Sequence, residues 1–170
     1  MDLKNIIRTI PNYPIEGVLF RDITTVLKDK DALKYSVDEI TKSLENIEFD
    51  YILGPESRGF IFAMPIAYNM NKGFVPVRKA GKLPAETISK EYDLEYGSAT
   101  LEIHKDAIKK GDKVIIVDDL LATGGTCKAI IELVESIGAE VVSLNFFIEL
   151  EELKGRELLG NYNISSVVKY

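Results

Sequence analysis

The chain of 170 residues is 46% apolar, enough to close one core, and its 21 basic against 27 acidic side chains leave a net charge of −6, which argues against a broad nucleic-acid-binding surface. Its longest uncharged run, residues 59–71, is interrupted by Pro65 and falls short of the roughly 20 apolar residues of a membrane span. Cys127 and His104 are the only residues of their kinds, so an intramolecular disulfide and a Cys/His metal cluster are excluded and any metal must be held by oxygen.

In chain order, the opening MDLKNIIRTIPNY mixes charges with apolar residues and has no separate hydrophobic stretch of a cleavable signal, so a cytoplasmic protein is expected. Leu3, Ile6, Ile7 and Ile10 step at helical spacing and predict a short amphipathic helix stopped by Pro11, followed by a turn-rich segment over residues 12–21. Leu33, Val37, Ile40, Leu44 and Ile47 form the apolar stripe of a helix packed on a sheet. Residues 51–53 predict a strand ending in GPESRGF, then a buried helix kinked at Pro65, then a strand over 74–78. Residues 79–96 are polar, rich in Gly, Pro and Lys, and poor in hydrophobic periodicity, which predicts a long mobile flap. Residues 114–117 are apolar throughout, as in a central parallel strand buried on both faces; residues 129–137 predict a helix ended by Gly138, and 141–148 another core strand. Strands alternating with helices predict an α/β fold, an open and mainly parallel sheet flanked by helices in one domain spanning residues 1–170, with ligands beyond the carboxyl ends of the strands.

The string VIIVDDLLATGGT, residues 114–126, carries the most chemistry: a buried strand, two adjacent carboxylates, and a turn opening a helix. Gly124 and Gly125 have no Cβ, so successive backbone N–H groups can converge on a phosphate beside Ala122, while Thr123 and Thr126 add hydroxyl donors and the helix dipole favours an anion. The pattern is neither GxxxxGK[ST] nor GxGxxG, which sets aside the triphosphate and dinucleotide loops. Asp118 and Asp119 are placed to accept hydrogen bonds from ribose hydroxyls and to reach Mg²⁺ indirectly, through ribose or water. The bland alternative is a pair of capping aspartates and two turn glycines. Taken alone, Arg58 reads as a solvated arginine, Phe20 as core, Glu95 as a solubility residue, and Arg78, Lys79 and Lys82 as a solvated face.

Residues 114–126 resemble the signature of the type I phosphoribosyltransferases for phosphoribosyl pyrophosphate. PNYPIEGVLFRDIT, GPESRGF, RKAGKLPAET and LEYG, in that order along most of the chain, narrow the resemblance to the adenine-using branch of that family. The resemblance implies the type I fold with an N-terminal hood over about residues 1–27 and a flexible catalytic flap over about 79–97. It implies purine salvage, in which adenine and phosphoribosyl pyrophosphate give AMP and diphosphate. Asp118, Asp119, Ala122, Thr123, Gly124, Gly125 and Thr126 would then hold the ribose and 5′-phosphate, and Glu56, Ser57, Arg58, Arg78, Lys79 and Lys82 the diphosphate. Val18, Phe20 and Arg21 would form the adenine site, with Phe20 stacked on the ring and backbone near Arg21 reading its edge. Glu95 and Tyr96 are assigned to catalysis in the flap together with Asp118 and Asp119, Glu95 as a proton-transfer group. The resemblance also implies Mg²⁺, a backbone irregularity around Glu56 and Ser57, and a homodimer in which Arg78 reaches the neighbouring site. No nucleic-acid or membrane partner is expected. Two rivals stand beside this reading, a 6-oxopurine enzyme of the same fold and a nucleic-acid-binding sensor of phosphoribosyl pyrophosphate; GVLFRDIT opposes the first and the acidic charge the second.

Overall fold

The computed structural model describes residues 1–94 and 96–170. In chain order the elements are β1 (Arg8–Pro11), β2 (Leu19–Asp22), α1 (Thr24–Lys28), α2 (Lys30–Ser43), β3 (Tyr51–Pro55), α3 (Arg58–Asn69), β4 (Gly73–Lys79), β5 (Thr87–Asp93), β6 (Ser98–His104), β7 (Lys113–Leu121), α4 (Gly125–Ser136), β8 (Glu140–Glu149), α5 (Gly155–Leu159) and β9 (Ile164–Lys169). Seven strands form one sheet in the order β5-β6-β4-β3-β7-β8-β9. β4, β3, β7, β8 and β9 run parallel, while β6 pairs antiparallel with both β4 and β5.

The uniformly apolar start of β7 follows from burial on both faces. Val114 and Ile116 point into the core built with α4, Ile115 and Val117 into the core built with α2 and α3, so alternate residues serve opposite layers. α2 begins at Asp29, whose carboxylate accepts from the backbone N–H groups of Asp31 and Ala32 at 3.0 Å each. It buries Val37 and Ile40 and ends at Ser43, so Ile47 packs from the following turn rather than from the helix.

Three sequence expectations change. The N-terminal helix shrinks to a 3-10 turn at Leu3–Asn5 that buries Leu3, and Arg8–Pro11 instead pairs antiparallel with Leu19–Asp22, Ile10 opposite Phe20. A cross-strand partner ten residues away overrides the local helical spacing. The segment expected to be irregular holds a regular element: Thr87–Asp93 form β5, hairpinned to β6. Ile88, Lys90 and Tyr92 share the half-buried side of β5, and the inward Lys90 disguises the alternation. It is accommodated by an ion pair with Glu132 of α4 at 2.7 Å. β9 closes the far edge of the sheet, beyond the last strand expected from the sequence.

Candidate active site

β3 and β7 lie side by side, with the next strands on opposite sides of them, so their carboxyl ends meet at a point where the chain order of the sheet reverses, the usual place for a ligand in an open α/β sheet. A cavity of about 440 Å³ opens there. Eleven of the residues singled out in the sequence line it: Glu56, Ser57 and Arg58 from the β3–α3 turn, Lys79 from β4, Asp118 and Asp119 from β7, and Ala122, Thr123, Gly124, Gly125 and Thr126 from the loop into α4.

The loop has the geometry of an anion cradle. Gly124 stands at φ +88°, a left-handed conformation that L side chains rarely adopt, and a Cβ there would also approach the Gly155 carbonyl oxygen to 3.0 Å. α4 starts without a side-chain cap and without an acidic residue in its first turn, so its first amide donors and positive dipole end remain available to an anion in the cavity.

The acid pair is held by local structure. The Asp119 backbone N–H donates to Asp118 Oδ1 at 2.8 Å, and Arg58 Nε lies 2.8 Å from Asp119 Oδ2. Burial, then the charge of Asp119, pushes the Asp118 carboxyl well above the usual carboxylate range. Burial raises Asp119 as well, opposed by Arg58. Gly59 keeps the approach open, because a Cβ there would meet the Pro55 ring at 2.7 Å and Asp118 Oδ1 at 3.0 Å. The Glu56–Ser57 peptide bond is cis, at the position where the resemblance implied an irregularity.

Glu56 faces β4 rather than solvent. Its Oε1 accepts from the Lys79 backbone N–H at 2.6 Å and from Arg78 Nε at 3.3 Å, and the Lys79 amide followed by Arg78 keeps its carboxyl below the usual range. The carboxylate thus pins the turn to the sheet while Arg58 and Lys79 supply the cations of the cavity. Arg78 stands behind that wall, Lys82 and Tyr96 are exposed away from it, and Glu95 lies outside the described residues.

The β1–β2 hairpin approaches from the side. Phe20 packs edge-on against Tyr13 at 5.1 Å between centroids, and the Arg58 guanidinium stands 5.6 Å from the Phe20 ring centre. Val18 is exposed beside it. The Arg21 side chain turns away, with Nη1 donating to Thr9 Oγ1 at 2.6 Å, which leaves only its backbone for the Phe20 side. The hairpin is tied down by Asp22, which accepts from Arg8 Nε at 2.9 Å and from the Thr24 backbone N–H at 2.9 Å.

The sequence left several contributors unassigned. Cys127 lines the cavity as a buried thiol, its pKa pushed up by burial and then by Asp118, so it is a packing group there and not a thiolate. Gly155 supports the glycine loop from behind, and Tyr92 of β5 brings its hydroxyl to 3.4 Å from Thr126 Oγ1. Neither carries a local motif, since their roles arise from elements that meet only in three dimensions.

A phosphoribosyl transferase domain family matches residues 24–166 of the chain. Over 170 residues the chain is 62% identical to the adenine phosphoribosyltransferase of Clostridium novyi, covering 100% of this chain and 99% of that protein. The chain belongs to the adenine phosphoribosyltransferase family. The Lachnoclostridium phytofermentans member is 60% identical over 168 residues, 99% of this chain and 97% of its own. The crystal structure of the Thermoanaerobacter pseudethanolicus adenine phosphoribosyltransferase superposes with a TM-score of 0.96 at 55% identity, over 99% of this chain and 98% of that one. The Saccharomyces cerevisiae adenine phosphoribosyltransferase, solved with adenine and an imino-altritol bisphosphate, superposes with a TM-score of 0.90 at 42% identity, over 98% and 96% of the two chains. The sheet order and flanking helices are therefore the type I phosphoribosyltransferase fold, and this chain carries its DDLLATGGT segment at the carboxyl end of β7.

Proposed function

We propose that this cavity transfers the phosphoribosyl group of phosphoribosyl pyrophosphate to adenine, forming AMP and diphosphate in purine salvage. The observation that carries the reading is the convergence in one cavity of a glycine cradle at a helix start, an acid pair and two cations. The cradle of Ala122, Thr123, Gly124, Gly125 and Thr126 holds the 5′-phosphate, and Asp118 and Asp119 accept from the ribose hydroxyls. A ring nitrogen of adenine forms a bond to the anomeric carbon as the bond to the diphosphate oxygen breaks, and positive charge builds on the ribose ring. Arg58, Lys79 and the Ser57 turn receive the departing diphosphate, with Arg78 bracing Glu56 from behind and Lys82 joining them when the flap closes.

Phe20 stacks on the purine, Val18 covers it, and backbone at Arg21 reads its edge. Residues 1–27 act as a hood and 79–97 as a flap that closes over the reactants and excludes water. Glu95 takes the proton of the attacking nitrogen, with Tyr96 beside it. Among the described residues no three His, Cys, Asp or Glu side chains are grouped as a metal cage. Asp118 and Asp119 would hold Mg²⁺ indirectly, through ribose or water, and when bound it would supply charge neutralisation for the leaving diphosphate. A cytoplasmic homodimer completes the reading, supported by Ile61, Met64 and Tyr68, which are exposed at i, i+3 and i+7 of α3.

Incubation with Mg²⁺, phosphoribosyl pyrophosphate and adenine, hypoxanthine, guanine or xanthine separately tests the reading. AMP from adenine, with at most traces from the other bases, is the expected result. Comparable turnover of hypoxanthine or xanthine refutes the assignment of the hood to adenine, and sedimentation as a monomer refutes the dimer.

A further inference from the structure

Two buried polar atoms, Arg21 Nε and Tyr170 Oη, have no hydrogen-bonding partner among the described residues, and they belong to the two sides of one contact. The Arg21 guanidinium carbon stands 3.7 Å from the centre of the Tyr170 ring, and Lys4 Nζ lies 5.2 Å from the same centre. A guanidinium with an unpartnered Nε has lost hydration, and the electron-rich face of an aromatic ring is what compensates it. The hydroxyl of Tyr170, having no partner, adds nothing to that compensation.

The backbone that carries the ring is anchored. The Tyr170 backbone N–H donates to the Glu149 carbonyl at 2.9 Å, and its own carbonyl accepts from the Glu151 N–H at 2.8 Å. Glu149 is in turn gripped by Arg156 through two bonds of 2.6 and 2.8 Å and by Ser166 Oγ at 2.6 Å. Tyr170 is therefore a rigid post on the β8–β9 edge of the sheet. Arg21 stands next to Phe20 on β2, and its side chain spans from Thr9 on β1 to that post.

We propose that Tyr170 is a positioning residue for adenine binding, holding the β1–β2 hairpin at the angle that presents Phe20 and the Arg21 backbone to the base. The inference rests on the reading of this hairpin as the adenine hood. Losing the ring lets β2 tilt, which weakens binding of the base while leaving untouched the phosphate cradle, which is carried by β7 and α4 and not by the hairpin. The same contact predicts that the aromatic face matters and the hydroxyl does not.

The test measures KM for adenine, KM for phosphoribosyl pyrophosphate, kcat and Tm in the full chain. Tyr170→Leu should raise the adenine KM about 5- to 30-fold with the phosphoribosyl pyrophosphate KM within about twofold, the range expected for loss of a desolvated cation–π contact. Arg21→Lys, which keeps the charge but loses the planar guanidinium, should give the same split and decides the matter if the leucine variant does not fold. Tyr170→Phe should restore the adenine KM to within about twofold without lowering Tm. A wild-type adenine KM in folded Tyr170→Leu, or an equal rise in both KM values, overturns the proposal. Phe20→Ala separates the layers: if it raises the adenine KM and Tyr170→Leu does not, only the positioning role falls. An unchanged adenine KM in Phe20→Ala removes the hood reading and this proposal with it.

Discussion

Gly155→Ala is the substitution that most directly probes how the phosphate cradle is held. A Cβ at Gly155 would lie 2.5 Å from the Ala122 carbonyl oxygen, 2.7 Å from Leu121 Cδ1 and 3.0 Å from Leu121 Cγ. The nearest atom is backbone of the cradle itself, so it cannot rotate away; α5 or residues 121–123 must shift. Overpacking of this kind costs about 1–3 kcal/mol. At about 2–4 °C per kcal/mol for a chain of this size, Tm should fall by roughly 2–12 °C. The displaced carbonyl carries the Thr123 and Gly124 amides with it, so the KM for phosphoribosyl pyrophosphate should rise about tenfold or more, with a smaller change in the adenine KM. Gly160→Ala is the control. Gly160 sits at φ +73° and ψ −140°, where an alanine is strained by about 1–3 kcal/mol, yet no atom of the described residues lies within 4 Å of its added Cβ. Thermal melts and steady-state kinetics on both variants compare like with like. If Gly155→Ala binds phosphoribosyl pyrophosphate as the parent does, or if Gly160→Ala weakens it equally, the argument that Gly155 sets the cradle is wrong.

Changing Asp118 and Asp119 together to Asn should abolish turnover while circular dichroism stays native; retention within about tenfold, roughly 1.4 kcal/mol of barrier, would contradict their role on ribose. The single change Asp118→Asn should in addition raise Tm near neutral pH. Its carboxyl has a folded pKa above 3.8, so ionising it costs stability that sets in as pH rises from 3.8 through the folded value, and the amide removes that cost. The opposite sign holds for Asp22, kept at about 2 by the Thr24 amide and Arg8: its contribution is complete above 3.8 and lost as pH falls through about 2. Because Arg8 is largely exposed the contribution is about 1 kcal/mol, so the denaturation midpoints of the parent and Asp22→Asn should converge over that acid window; a constant gap would refute the linkage. Glu95→Gln should lower kcat by about 10²–10⁴ with little change in KM if the carboxylate moves a proton, and unchanged kcat would leave the flap without that base.

The core strands and the cradle were legible because their signals are local. An uninterrupted apolar run, as in residues 114–117, marks a strand buried on both faces, and DDLLATGGT carries acid pair, turn and helix start within a single short string. Arg58 was singled out through the GPESRGF resemblance, but its ion pair with Asp119 was not legible, since β3 and β7 are adjacent in the sheet although about sixty residues apart in sequence. The N-terminal helix failed because Arg8–Pro11 finds its partner across a hairpin, and β5 was hidden because its inward Lys90 is neutralised by Glu132 on another element. Composition, periodicity and motif thus determined the class of fold and the family, and singled out the residues that line the cavity at the end of β7. Tertiary structure alone decided that Glu56 braces the turn, that Gly155 backs the cradle and that Tyr170 receives Arg21, because each depends on atoms brought together by packing and not on neighbours along the chain.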